Sequence, residues 1–202
     1  DHCVFSNFQG SAIYTQSTLL IANSVIKNNV SLLGAIHARN SGLISISNSF
    51  YQNSVSGSLQ TYGMGGAFRQ QGNWSPSENL GSGPVIFYNS NFENNSAVWG
   101  GALSFDNAYV AYVKIENCNF ISNSAQRGGA IYASGGAIGS NRDWSIVSSR
   151  FIENEAGVGG AIDQYYKSPT IDSCIFMGNT ASEGGVIASG RSTTTITNSI
   201  FK

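Results

Sequence analysis

The side chains here that could do acid–base or nucleophilic work are 11 Asp and Glu, two His and three Cys among 202 residues. A polysaccharide hydrolase or lyase needs two carboxylates, or one with a basic partner, converging on one face. The acids do not fall that way. Glu93 directly follows Phe92, Glu153 stands two after Phe151 and Glu183 seven after Phe176, so they occupy different phases of the repeat described below. Glu153 and Glu155 flank Asn154 and read as a solvated turn, and Arg142 with Asp143 as a surface pair of small energetic value. His2 and His37 are too few and too far apart for zinc. A loop calcium site needs no motif and stays open, but no cofactor or metal is expected. There is no phosphate-binding Gly-Lys-(Ser/Thr) loop, and the Gly-Gly pairs open strands rather than helices.

Surface chemistry is better represented. Tyr62, Trp74, Tyr109, Tyr112, Trp144, Tyr165 and Tyr166 fall mostly in variable segments, where exposed aromatics anchor protein or sugar partners; the alternative is that they pack over the outer sheet faces. Of these, Tyr62, Trp74, Trp144, Tyr165 and Tyr166 are the candidate contacts. Asn29-Val30-Ser31, Asn73-Trp74-Ser75 and Asn94-Asn95-Ser96 are glycosylation sequons. Asn73 and Asn94 are the candidate acceptors, whereas Asn29 is expected to be held inside. The formal net charge of -1, with only 10% charged residues, argues against a nucleic-acid or acidic-membrane partner.

What must position these groups is a repeat. Asn89 to Leu103 aligns without gaps on Asn117 to Ile131, and two further copies run from Ser148 to Ile162 and from Ser173 to Ile187. Looser copies lead from Phe5 to Ile13, from Ile26 to Ile36 and, through an insertion, from Phe50 to Phe68. The anchors Phe5, Ile26, Phe50, Phe92, Phe120, Phe151, Phe176 and Phe201 are spaced by 21, 24, 42, 28, 31, 25 and 25 residues. A constant motif at variable spacing means coils with loops of variable length, which a solenoid tolerates.

Each copy has its own logic. Two residues before the anchor stands a small residue (Cys3, Ser24, Ser90, Cys118, Ser149, Cys174, Ser199), and five before it an apolar one, so a bend separates the two. Three after it comes Asn29, Asn53, Asn95, Asn123, Asn154 or Asn179. These Asn are expected at a turn, because Asn tolerates left-handed backbone, and in a ladder along the axis at ~4.8 Å per coil. Gly-Gly marks a second turn and Ala-Ile/Leu begins another strand. All three Cys share one phase; Cys118 and Cys174 are two coils apart, roughly 9.6 Å, beyond the ~7 Å limit for a disulfide. Three buried free thiols, acting as small hydrophobes interchangeable with Ser, are expected.

Composition agrees. With 24 Gly, 31 Ser and 21 Asn, long helices are improbable, while 41% hydrophobic residues and 11 Phe supply a core. A leucine-rich horseshoe is disfavoured by scarce Leu and by a second strand where its helix would run. The expectation is an all-β, right-handed parallel β-helix of about seven to eight coils, roughly 35 Å long. It forms a single segment over 1–202, with insertions near 54–84, 105–112, 139–144 and 163–169. Asp1 lacks an initiator Met and Lys202 follows a strand still in progress, so a longer parent chain is expected. No apolar run approaches the ~18–20 residues of a membrane-spanning helix, so no direct membrane insertion by this segment is expected.

Phe-x-x-Asn followed by Gly-Gly-Ala-(Ile/Leu/Val) resembles the repeats of the polymorphic membrane proteins of chlamydiae. Phe92/Asn95 with Gly100 to Leu103, Phe120/Asn123 with Gly128 to Ile131, and Phe151/Asn154 with Gly159 to Ile162 match both motifs; Gly184-Gly185-Val186-Ile187 departs slightly and the first three copies more. The resemblance implies an autotransported β-helix at the extracellular surface, implicated in adhesion. Its partners would be a host or cell-surface protein or glycan. Because Phe5 and Phe201 share a phase, copies stacking end to end as a filament form a second expectation, and a polysaccharide-acting lyase or hydrolase is the rival from another class.

Overall fold

The computed structural model describes residues 2–55, 63–72, 83–106, 112–135 and 144–202. Among them there is no helix; short strands wind repeatedly around three sides of a solenoid, and every strand pairing is parallel. The first side stacks eight strands: Val4–Ser6, Val25–Lys27, Ser49–Tyr51, Asn91–Glu93, Asn119–Ile121, Arg150–Ile152, Ile175–Met177 and Ile200–Phe201. The second side stacks seven, from Ile13–Thr15 through Ile36–Arg39, Phe68–Gln71, Leu103–Asp106, Ile131–Ser134 and Ile162–Tyr165 to Ile187–Gly190. The third also has seven, from Leu19–Ala22 to Thr195–Thr197.

Register follows the repeat. The anchors pair in sequence, Phe5 with Ile26, Ile26 with Phe50, and on to Phe176 with Phe201. Successive Phe rings from Phe50 to Phe201 stack 4.7–4.8 Å apart and within 10° of parallel, which is the spacing of neighbouring strands. Phe50 through Phe176 are fully buried, and Phe201 at the end is exposed. Opposite them the second side contributes Ile36, Phe68, Leu103, Ile131 and Ile162, and the third side Ile21, Phe87, Ile115, Ile146 and Ile171.

The bend anticipated between the apolar residue and the anchor lies three residues before the anchor. Asn23, Ser47, Asn89, Asn117, Ser148, Ser173 and Asn198 all take left-handed backbone there, with φ of 48–54°. The second left-handed position corrects an expectation. The turn residues are Asn28, Gln52, Asn94, Ser122, Glu153 and Gly178, with φ of 50–64°, and not the ladder Asn that follow each of them. One left-handed residue turns the strand, so that the next side chain points into the coil instead of outward.

The Gly-Gly turn is required twice over. Gly100, Gly128 and Gly159 hold φ of 61–67°, and a Cβ on the following Gly101, Gly129 or Gly160 would lie 2.1–2.2 Å from the carbonyl oxygen of the equivalent Gly in the next coil. Strand reaches into each segment expected as an insertion: Ser54–Val55 and Phe68–Gln71, Leu103–Asp106, Trp144–Val147, and Ile162–Tyr165. The second-side strand begins at the Ile or Leu of that motif, as expected, and continues with residues that vary in type, so its extent was hidden in the sequence. The sequence Gly-Gly-Ala-Ile occurs once more, at 135–138, of which only Gly135 is among the described residues.

Candidate functional site

Two polar ladders run inside the solenoid. In the first, the side-chain amides of Asn29, Asn53, Asn95, Asn123 and Asn154 each donate to Oδ1 of the next Asn, ending on Asn179, at 2.8–3.1 Å. The same Oδ1 atoms accept the backbone N–H of the preceding Asn, and each Nδ2 also donates to a carbonyl, Phe92 for Asn123 and Phe120 for Asn154. Asn29 through Asn154 are buried. Both amide functions are therefore consumed by the fold, with none left for a ligand.

The second ladder lies at the small residue two before each anchor. The backbone N–H of Cys3 donates to Ser24 Oγ, that of Ser24 to Asn48 Oδ1, that of Cys118 to Ser149 Oγ and that of Cys174 to Ser199 Oγ. The Cys118 and Cys174 thiols donate to the carbonyls of Glu116 and Asp172 at 3.3 Å, as Ser149 Oγ does to Val147. Cys thus replaces Ser here as a hydrogen-bonding group, which corrects its reading as a small hydrophobe. Cys118 and Cys174 are buried free thiols, but Cys3 is exposed, because no described coil covers its other side. Burial pushes the Cys118 thiol up to about 12 and raises Cys174 as well, which keeps both protonated and inert. Asn48 escaped the sequence pattern because it is the one Asn at that phase.

The chemically mixed surface is the outer face of the second side. Strand alternation puts His37, Arg69, Ser104, Tyr132 and Asp163 in one outward column and Arg39, Gln71, Asp106, Ser134 and Tyr165 in the next. The first column is outward yet buried. Arg69 Nη2 meets Asp106 Oδ2 at 3.2 Å, and Arg127 Nε meets Asp163 Oδ2 at 2.6 Å while its guanidinium lies 6.0 Å from the Tyr132 ring. Trp99 packs on Tyr132 with ring centroids 5.2 Å apart. Burial holds the Asp163 carboxyl above its ordinary value, with the Arg127 guanidinium at 2.6 Å opposing that rise. Burial, and then Arg69, pull His37 down to about 4 against the bond from its Nε2 to Gln71 Oε1 at 3.0 Å. The imidazole is therefore neutral at physiological pH.

The two carboxylates of this face, Asp106 and Asp163, are two coils apart in different columns, and each is paired with an arginine. That places their backbones at least roughly 9.6 Å apart, a poor arrangement for a shared acid–base step. Among the described residues no three His, Cys, Asp or Glu come close enough to hold a metal ion, and no helix is long and apolar enough to cross a membrane.

The candidate contacts fare differently. Tyr165 and Tyr166 lie together, rings 4.4 Å apart at 73°, with the Arg191 guanidinium over both. Trp144 is not a surface contact: it is buried, edge-on to Phe105 at 5.6 Å, because it opens a third-side strand at the inward position that Val113 fills one coil earlier. Tyr62, Trp74, Tyr109 and Asn73 lie outside the described residues, as do Arg142 and Asp143. Asn94 is exposed on its turn, its amide donating to Glu93 Oε1 at 3.3 Å, whereas Asn29 is enclosed in the ladder. Arg69, Arg127 and Arg191 had no signal except repeat phase: Arg191 falls 25 residues after Tyr166, at the same point of the next coil.

Two adjacent stretches, residues 89–106 and 117–134, match the family description of the Chlamydia polymorphic membrane protein repeat. Each runs from the left-handed bend residue, Asn89 or Asn117, through ring, ladder Asn and Gly-Gly turn to the end of the second-side strand. No curated protein and no solved structure matches the chain. The chain therefore holds two stretches similar to the Chlamydia polymorphic membrane protein repeat, each folded into one coil of a parallel β-solenoid.

Proposed function

We propose that this chain is a non-catalytic scaffold at the extracellular cell surface, part of an autotransporter-like passenger that carries adhesive contacts. The observation behind it is the division of labour in the matched coils. Phe ring, Asn amide and Gly-Gly backbone are all spent on stacking, and what varies from coil to coil is the outer surface. A stiff rod with variable sides suits presentation to a host or cell-surface protein or glycan. The ion-paired acids of the second side suit it too, since an acid–base pair needs at least one group free to exchange a proton.

Purified chain, shown folded by far-ultraviolet circular dichroism, is incubated with intact host cells and scored by flow cytometry. Saturable binding is expected. Folded chain that binds neither cells nor glycans overturns the adhesive reading, and chain that releases reducing ends or unsaturated uronate from polysaccharide overturns it in favour of the enzyme. Electron microscopy of the same material separates single rods from end-to-end filaments.

A further inference from the structure

The corner after the second-side strand takes left-handed backbone in several coils. Asn40 and Gly135, residue types suited to it, fill the position in two of them, with φ of 50° and 81°. In the last two coils the same position holds Tyr166 at φ 61° and Arg191 at φ 51°. Bulky side chains are disfavoured in that region, and both are exposed, so core packing does not account for the choice. Such residues in unfavourable backbone recur where a side chain must be aimed.

The aim is visible. Arg191 Nη1 donates to Tyr166 Oη at 2.6 Å, and its guanidinium carbon lies 5.9 and 5.6 Å from the Tyr165 and Tyr166 ring centroids. The Tyr165 ring is pinned over Gly190, where an added Cβ would come within 2.5 Å of its Cδ2. Arg69 and Arg127 each have a carboxylate, whereas Arg191 has none among the described residues. Of its five N–H donors one is assigned to Tyr166. Close to it in the chain, Ser192 Oγ donates to the Gly190 carbonyl at 3.2 Å, and Ser168 Oγ accepts the Thr193 N–H at 3.1 Å.

We propose that Tyr165, Tyr166 and Arg191 form a binding corner for a carboxylate-bearing sugar, a uronate or a sialate, at the tip of a surface glycan. The guanidinium takes the carboxylate, and exposed tyrosine ring takes the apolar face of the pyranose. This rests on the adhesive scaffold proposed above and names what it would hold.

The whole chain is tested by biolayer interferometry against hyaluronan, polygalacturonate, sialyllactose and neutral dextran. Acidic probes are expected to bind at least about tenfold more tightly than dextran, with Arg191→Gln removing that preference. Uronate and sialate probes tell the two sources apart. Tyr166→Asn, which suits the left-handed backbone, is expected to fold at least as well and still to lose binding. Equal binding of dextran, no binding of any acidic probe, or unchanged binding by Arg191→Gln overturns the proposal. Host-cell binding that survives Arg191→Gln sinks this corner alone, whereas folded chain that binds neither cells nor glycans sinks the scaffold reading with it.

Discussion

Asn123 is joined to Asn154 twice: its side-chain Nδ2 and its backbone N–H both donate to Asn154 Oδ1, each at 3.0 Å. Asn123 Oδ1 in turn takes the same two donors from Asn95. Every internal member of the ladder is thus acceptor for one coil and donor to the next, and removing one leaves orphans on both sides.

Asn123→Ala is therefore expected to destabilise the chain by about 3 kcal/mol, because it leaves the Asn95 backbone N–H and one of its amide hydrogens without an acceptor in the interior. Asn179→Ala, at the partly exposed end, should cost about 1–2 kcal/mol. Urea midpoints compare the two; equal losses would mean that the internal bonds are not cooperative.

The glycines of the second turn make a sharper contrast. Gly101→Ala drives a Cβ to 2.2 Å from the Gly129 carbonyl oxygen and 2.7 Å from that of Ser124, and should cost about 3 kcal/mol. Gly185→Ala meets nothing within 4 Å and should fall within about 0.5 kcal/mol of the parent. Thermal melts of the two variants check this.

The thiols should separate by reactivity. At mildly alkaline pH, native protein is expected to react with a thiol reagent rapidly at Cys3 alone, and at all three Cys once unfolded. Cys118→Ser should be tolerated, since Ser149 fills the equivalent place in the adjacent coil. Cys118→Val should be destabilising through loss of the hydrogen bond to the Glu116 carbonyl.

His37 predicts an acid limb of stability. Its folded pKa, about 4, lies below the ordinary value of 6.5, so between these values the unfolded chain binds the proton and the native chain does not. Stability is full above about pH 6.5 and is lost as pH falls toward 4, with a slope of at most about 1.4 kcal/mol per pH unit. His37→Gln should flatten that limb. An unchanged slope in urea titrations across the window would assign it to other groups.

Much of this protein was legible as sequence. Phe-x-x-Asn and Gly-Gly-Ala recur because every coil meets the same neighbours one strand spacing away, so Phe120 must fit between Phe92 and Phe151, and Gly129 against Gly160. Identical local demands write themselves as a repeat, and from it follow the solenoid, the strand order and the Asn column. The outer surface obeys no such rule. Trp144 reads as an exposed loop aromatic until the register aligns it with Val113, and Asp163 reads as an insertion residue until the turn of an earlier coil brings Arg127 across to it. Tyr166 and Arg191, 25 residues apart, become neighbours only because one coil closes in that length. Stacking is decided by residues of like phase, whereas contacts across the surface depend on how far each loop carries the chain before the coil closes, and that distance is set by the tertiary structure.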